Sequence, residues 1–217
     1  MILSCVQLFI LITSFSLMFH TASYAKKKML NTDMLIEQIQ NGEFAKIKNN
    51  LDQHLKFKDK NKTTLLMIAA QNGNFKVLEY LLSKKINLQA TDIYGVSALG
   101  YAIGNEQINT AQLLIDKGIS LDTACSEEQK NILVCAIEVN SKELVQLIAD
   151  KNKKLIQMQD SAGNTPLHIA AETSTSDILA ILIKSGADLK AKNKKGEIPY
   201  DLAKQMNLQE NMKLLAK

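Results

Sequence analysis

Histidine, cysteine and carboxylate side chains are the groups of this 217-residue chain that could do chemistry. Outside the first 28 residues the histidines are His54 and His168, and no His-x-x-x-His, Cys-x-x-Cys or glycine-rich phosphate loop occurs. The carboxylates are scattered, whereas acid–base catalysis needs groups that converge on one site. The sequence therefore predicts that the chain is not an enzyme and has no metal site and no cofactor.

The basic residues argue against a nucleic-acid partner. All 26 are lysine, although the net charge is +4. Arginine is the side chain that recognises phosphates and bases with two parallel hydrogen bonds, and it is absent. Lysine clusters at 26–28, 151–154 and 192–195 are spread along the chain rather than gathered into one stripe.

The first 25 residues predict a targeting segment. Residues 2–19 carry no charge, and Ser23 and Ala25 satisfy the small-residue rule of signal peptidase, which predicts cleavage between Ala25 and Lys26 and hence export. An uncleaved anchor is the alternative, because the apolar run is about 18 residues long and approaches membrane-spanning length. The lysines at 26–28 would then hold the rest of the chain in the cytoplasm. A cytosolic protein with an unusual N-terminus is the third possibility.

One stretch sets the pattern for the rest of the chain. Gly163 supplies a turn, Thr165 is placed as a helix N-cap and Pro166 stands at the first helical position, before a short helix of small apolar residues. The same leucine and alanine positions recur at spacings of 33, 34, 34 and 33 residues. The leucine column is Leu66, Leu99, Leu133, Leu167 and Tyr200, and the alanine column is Ala69, Ala102, Ala136, Ala170 and Ala203.

This pattern resembles the ankyrin repeat, whose signature includes Thr-Pro-Leu-His-x-Ala and whose period is about 33 residues. The resemblance implies an all-α solenoid of helix–turn–helix units joined by short hairpin loops. It also implies that His168 hydrogen-bonds backbone between adjacent repeats. The predicted divisions are a signal peptide or anchor at 1–25, a degenerate N-terminal capping repeat at 29–58, repeats at 59–91, 92–124, 125–158 (divergent) and 159–191, and a C-terminal repeat or cap at 192–217.

Two departures from the family pattern lead to structural expectations. Glycine occupies the turn between the paired helices only at Gly42 and Gly73, and the later positions hold Glu106, Asn140, Ser174 and Asn207. Because glutamate tolerates a left-handed backbone poorly, we expect Gly104 and Asn105 to move that turn earlier. The repeat at 125–158 lacks the turn glycine and the Thr-Pro pair, and we expect it to be the least stable unit.

Cys125 and Cys135 are the only cysteines after the leader. An even number in an exported chain permits a disulfide, which would join the entry loop of the divergent repeat to its first helix. The alternative is that Cys135 is a small core residue at the position that Tyr101 and Ile169 hold in other repeats.

The resemblance implies a function in binding a protein partner on the concave side of the array, formed by hairpin tips and the exposed positions of the first helices. An Ile-Tyr pair followed by valine at one tip is apolar where such tips are normally polar, and tyrosine is enriched in binding hot spots. The candidate contact residues are Ile93, Tyr94, Val96, Gln71, Asn72, Asn105, Glu127, Glu128, Glu138 and Glu172. We expect a monomeric, exported binding module, or a membrane-tethered cytoplasmic scaffold if the leader is retained.

Overall fold

A computed structural model describes residues 33–172 and 176–216 of the chain. The predicted leader and its cleavage position at Ala25 and Lys26 lie outside these residues. The chain divides into two compact units, residues 1–54 and residues 55–217. Within the described residues the regular elements are helices, with isolated β-bridges at the hairpins.

The described part of the first unit is one helix pair. Residues 33–40 form helix α1, Phe44–Leu51 form α2, and a 3₁₀ turn follows over Asp52–His54. Gly42 makes the turn between them with a φ of 72°, which is the left-handed conformation that glycine adopts without steric cost. The pair buries Leu35, Ile39, Ile47 and Leu51.

The second unit contains five helix pairs within its described residues. They are α3 (Leu65–Gln71) with α4 (Phe75–Leu82), α5 (Ala98–Gly104) with α6 (Ile108–Asp116), α7 (Ile132–Glu138) with α8 (Lys142–Lys151), α9 (Pro166–Glu172) with α10 (Ser176–Lys184), and α11 (Pro199–Gln205) with α12 (Gln209–Leu215). A 3₁₀ helix at Lys153–Gln157 follows α8.

The first helices of successive pairs pack against each other in the order α3, α5, α7, α9 and α11. Every member of the alanine column is fully buried, and the leucine column is buried from Leu66 to Leu167. Small side chains let the helix backbones approach closely, so this repetition of leucine and alanine produces the stack. The predicted helix–turn–helix solenoid is thus confirmed.

The turns between paired helices use one left-handed residue in each described case. Gly73, Glu106, Asn140 and Asn207 have φ values of 65°, 57°, 54° and 56°. The expectation that Gly104 and Asn105 would move the second turn earlier is therefore wrong. Glu106 itself adopts the left-handed conformation, at a cost of about 1–2 kcal/mol that the surrounding packing must offset.

Five hairpins precede the first helices, over residues 59–63, 92–96, 125–130, 160–164 and 193–197. In four of them the first residue closes the loop: one side-chain oxygen of Asp59, Asp92, Asp160 or Asn193 accepts two backbone N–H groups at 2.7–3.0 Å. Hairpin 125–130 begins with Cys125 instead and is one residue longer, because the N–H of Cys125 pairs with the carbonyl of Lys130.

Candidate protein-binding face

The candidate face is made by the tips of hairpins 59–63, 92–96 and 125–130 together with the C-terminal ends of α3, α5, α7 and α9. We call this set of residues the binding face. It lies within the unit formed by residues 55–217.

Ile93 and Tyr94 form an exposed apolar tip on hairpin 92–96. Their exposed fractions are 48% and 40%. Asp92 fixes the backbone beneath them, because its buried carboxylate accepts the N–H groups of Tyr94 at 2.8 Å and of Val96 at 2.9 Å. The Ile93 N–H also donates to the carbonyl of Asn61 on the preceding hairpin at 3.0 Å. The tip is therefore a preformed feature, which reduces the entropy lost on binding.

Val96, which the predicted set also includes, is buried and is not part of the exposed tip. The residue is only 6% exposed. Its backbone bridges to Ala124, and its side chain lies beside Gly100 on α5. Contacts with the next repeat and with α5 therefore bury Val96, although Tyr94 two residues earlier is exposed.

Tyr101 joins hairpin 92–96 to α5, and sequence reasoning missed this role. Its hydroxyl donates to Oδ2 of Asp92 at 2.9 Å, while Oδ1 of the same carboxylate holds the hairpin. Partial burial of the phenol, and then the hydrogen bond to Asp92, raise the pKa of Tyr101 to about 12. The phenol therefore remains a neutral donor across the physiological pH range.

A charged group lies on the next hairpin. Lys130 contacts Glu138 at 2.8 Å and Glu128 at 3.4 Å, so one ammonium connects hairpin 125–130 to the end of α7. The hydrogen bond to Glu138 raises the pKa of Lys130. Glu127 and Glu128 are exposed beside it. These three predicted carboxylates thus lie in one region, with a single lysine among them that the prediction omitted.

The remaining predicted residues stand at the ends of first helices in different repeats. Gln71, Asn72, Asn105 and Glu172 are all exposed. Asn72 and Asn105 donate their side-chain amides back to the carbonyls of Ile68 and Tyr101, at 2.8 and 2.9 Å. They form a polar margin, in which the amide groups are already ordered by their own helices.

The structure joins Cys125 and Cys135 in a disulfide, with their Cα atoms 6.4 Å apart. Both residues are 6% exposed. On the same hairpin Gln129 has a φ of 60°, and its side-chain amide donates to the carbonyl of Tyr94. Hairpin 125–130 therefore supports the apolar tip of its neighbour directly.

Three further observations concern residues 33–172 and 176–216. No group of three or more metal-ligating side chains occurs among them. Across that same part of the chain, no helix has the length and apolar character needed to cross a membrane. His168 is fully buried: Thr165 contacts its Nδ1, and its Nε2 lies 3.1 Å from the carbonyl of Glu197 in the next repeat. This is the inter-repeat hydrogen bond that the resemblance implies.

Stacked helix pairs with a hairpin before each first helix define a helical repeat protein. The chain belongs to the ankyrin-repeat family, because the family's sequence profile, ankyrin repeats (3 copies), matches residues 20–125 and 120–193. Ankyrin-repeat domains generally mediate protein–protein interaction.

Solved and curated relatives agree with this assignment. A chain from the complex of the Bd0816 predatory endopeptidase of Bdellovibrio bacteriovorus with immunity protein Bd3460 is 36% identical, with a TM-score of 0.76 over 84% of this chain and 96% of that chain. The probable 26S proteasome regulatory subunit p28 of Saccharomyces cerevisiae is 30% identical over 163 residues, which is 73% of this chain and 70% of that protein. The B-cell lymphoma 3 protein homolog of Mus musculus is 25% identical over 150 residues, or 67% of this chain, and the match spans only 33% of its length.

Proposed function

We propose that this chain is an immunity-type inhibitor that binds an exported endopeptidase of its own cell through the binding face. The observation that carries the proposal is the exposed Ile93–Tyr94 tip, in a chain that is 36% identical to one from an endopeptidase–immunity protein complex. An apolar tip on a preformed backbone suits insertion into a cleft of the enzyme. The endopeptidase activity belongs to the partner, and this chain supplies a surface that blocks it.

The charges of the binding face indicate what the enzyme should present. Glu128 and Glu138 contact Lys130, and Glu127 precedes Glu128 in the chain, so this part of the face carries a net negative charge within a chain of net charge +4. A complementary partner has a basic margin next to an apolar cleft. Such complementarity raises the association rate more than the affinity, and added salt weakens it.

The test is titration of each exported endopeptidase of the source organism with the full-length protein, followed by calorimetry and by the rate of peptide hydrolysis. One enzyme should bind with 1:1 stoichiometry and lose activity in proportion to occupancy. The double variant Ile93→Ala, Tyr94→Ala should weaken binding at least tenfold, since buried aromatic anchors typically contribute about 2 kcal/mol or more.

The matched control is Phe75→Ala, which removes an apolar side chain of similar exposure, 41%, from the start of the second helix α4. This variant should bind as tightly as the parent protein. If the Ile93→Ala, Tyr94→Ala variant and the parent bound with equal affinity, the tip would not be part of the interface. Absence of binding to every exported endopeptidase would refute the proposed function.

We also propose export, with cleavage between Ala25 and Lys26. Disulfides persist in oxidising compartments and are rare in the cytosol, so the Cys125–Cys135 bond supports this location. The intact mass of protein recovered from fractionated cells without reducing agent tests it. A mass that begins at Lys26 and lacks two hydrogens is expected, whereas a full-length mass in the membrane fraction would favour the anchored scaffold.

A further inference from the structure

We propose that oxidation of Cys125 and Cys135 completes the binding face, so that the chain becomes competent to bind only after the disulfide forms. This inference rests on the proposed function for the identity of the ligand, but its structural part can be tested on the chain alone. It concerns hairpin 125–130 and the apolar tip of hairpin 92–96.

The disulfide occupies the place of a hydrogen bond in the preceding repeat. There, Asp92 at the start of the hairpin accepts the hydroxyl of Tyr101 on the first helix at 2.9 Å. Cys125 begins the next hairpin, and Cys135 has the same position on α7 that Tyr101 has on α5. Both pairs fasten a hairpin to its own first helix. The repeat at 125–158 makes this connection through a covalent bond.

Hairpin 125–130 depends on this connection more than the other hairpins do. Cys125 has no oxygen with which to accept the two N–H groups that Asp92 holds at 2.8 and 2.9 Å. The loop is one residue longer than its neighbours. Its left-handed residue is Gln129, with a φ of 60°, where hairpin 92–96 has Gly95, although hairpin 59–63 also places a non-glycine residue, Lys62, at a φ of 63°. Without the bond, the loop keeps the backbone pair between Cys125 and Lys130 and the contact of Lys130 with Glu138, but it loses its covalent link to α7.

The apolar tip depends in turn on hairpin 125–130. The side chain of Gln129 donates to the carbonyl of Tyr94, and Ala124, the residue before Cys125, bridges to Val96. Hairpins 160–164 and 193–197 have a further contact between backbones, where Lys194 donates to Ala162 at 2.9 Å, in addition to the side-chain hydrogen bond from Asn193 to Asn164 at 3.0 Å. A side-chain link from a left-handed glutamine is lost when its loop moves. Loss of the disulfide should therefore loosen Tyr94 as well as residues 126–130.

The chemistry is thiol–disulfide exchange with an exported disulfide oxidant. One cysteine thiolate attacks the oxidant's disulfide and forms a mixed disulfide, and the second thiolate displaces the oxidant's remaining sulfur. The chain loses two electrons and two protons, and the oxidant leaves with two thiols. Because Cys125 and Cys135 are both 6% exposed once the chain is folded, the bond should resist reduction afterwards. Once formed, the disulfide therefore keeps the binding face in its complete form.

Amide hydrogen exchange of the full-length chain tests the structural part. Oxidised protein is compared with protein reduced by dithiothreitol during refolding, and with the variant Cys125→Ser, Cys135→Ser. Residues 94–96 and 126–130 should exchange at least tenfold faster in both reduced forms, while α11 and α12 exchange at the parental rate. Exchange within twofold of the oxidised protein at these residues would overturn the inference.

A second variant covers the case in which the serine variant fails to fold. Cys125→Asp, Cys135→Tyr installs the pair that fastens the preceding repeat, and its exchange should be slow with or without dithiothreitol. If exchange in this variant were tenfold faster throughout, including α11 and α12, the variant would have lost stability in general. That result would overturn the inference.

Binding is measured last, with the endopeptidase that the titrations identify. The oxidised chain and the variant Cys125→Asp, Cys135→Tyr should bind alike, and the reduced chain should bind at least tenfold more weakly. Equal affinity of the oxidised and reduced chains would overturn the inference while leaving the proposed function intact. If no endopeptidase binds, the proposed function fails, and hydrogen exchange still decides whether the bond orders the face.

Discussion

Replacing the two glycines of α5 by alanine should change stability in opposite directions. A Cβ on Gly100 would lie 2.8 Å from the carbonyl oxygen of Ala124 and 2.9 Å from the Cα of Cys125. Both are backbone atoms, and the disulfide holds one of them. A Cβ on Gly104 would meet nothing closer than the carbonyl oxygen of Cys125 at 4.0 Å. The two sites share a helix and differ in the space around them.

The magnitudes follow from two opposing effects. Alanine is favoured over glycine inside a helix by up to about 1 kcal/mol. Overpacking costs about 1–3 kcal/mol, and at Gly100 the upper part of that range applies because the backbone itself must move. Gly100→Ala should therefore lower the free energy of unfolding by about 1–2 kcal/mol. Gly104→Ala, at the last position of α5, should raise it by about 0.5 kcal/mol.

Urea denaturation followed by circular dichroism at 222 nm, with thermal melts, measures both variants. For a unit of this size each kcal/mol shifts the melting temperature by about 2–4 °C, so the variants should melt about 4–8 °C apart. A Gly100→Ala protein at least as stable as the parent would show that the segment at Ala124 and Cys125 does not press on α5, and the packing argument would be wrong. Reduction of the disulfide should shrink the penalty, because the backbone can then withdraw.

Three further perturbations have definite expected outcomes. Glu106→Gly removes a non-glycine residue from φ 57° and should stabilise the protein by about 0.5–1 kcal/mol in urea denaturation; the same change at Asn140, a residue that tolerates this conformation, should have a smaller effect. His168→Leu leaves the buried partners of the imidazole unsatisfied and should cost about 2–4 kcal/mol in the same assay, and a cost below 1 kcal/mol would contradict the hydrogen bonding described. The phenol of Tyr101 should ionise near pH 12 in an ultraviolet absorbance titration, and Asp92→Asn should move that step to lower pH. Because burial and Asp92 raise the pKa of Tyr101 above its unfolded value of about 10, the stability from its neutral form is complete below pH 10 and is lost as the pH rises through 12.

The fold could be predicted because its determinants repeat. The alanine column from Ala69 to Ala203 is fully buried in every repeat, and a fixed period in two columns leaves one architecture that fits. The prediction for the turn at Glu106 was wrong because it relied on the backbone preference of glutamate. The stacked helices impose a left-handed conformation there that glutamate alone would avoid. Tertiary packing determined that backbone conformation more strongly than the residue's own preference.

The binding face could be predicted only in part. The exposure of Ile93 and Tyr94 followed from their place at a hairpin tip, whereas the burial of Val96 depends on the path of the next repeat past Gly100. A further column was present in the sequence and was missed: Asp59, Asp92, Asp160 and Asn193 begin their hairpins at equivalent positions. Comparison along that column would have shown that Cys125 stands where an oxygen acceptor is needed.

The energetics of hairpin 125–130 explain why a covalent bond occurs there. Loss of two accepted hydrogen bonds costs about 1 kcal/mol each, and a left-handed glutamine adds about 1 kcal/mol. Closing a ten-residue loop by the Cys125–Cys135 bond returns about 3 kcal/mol in the chain-entropy description. The free energy lost with the hydrogen bonds and the left-handed glutamine is thus nearly equal to the free energy gained from the disulfide. The oxidised hairpin is therefore about as stable as its neighbours, and the reduced hairpin lacks the free energy to hold Gln129 against Tyr94.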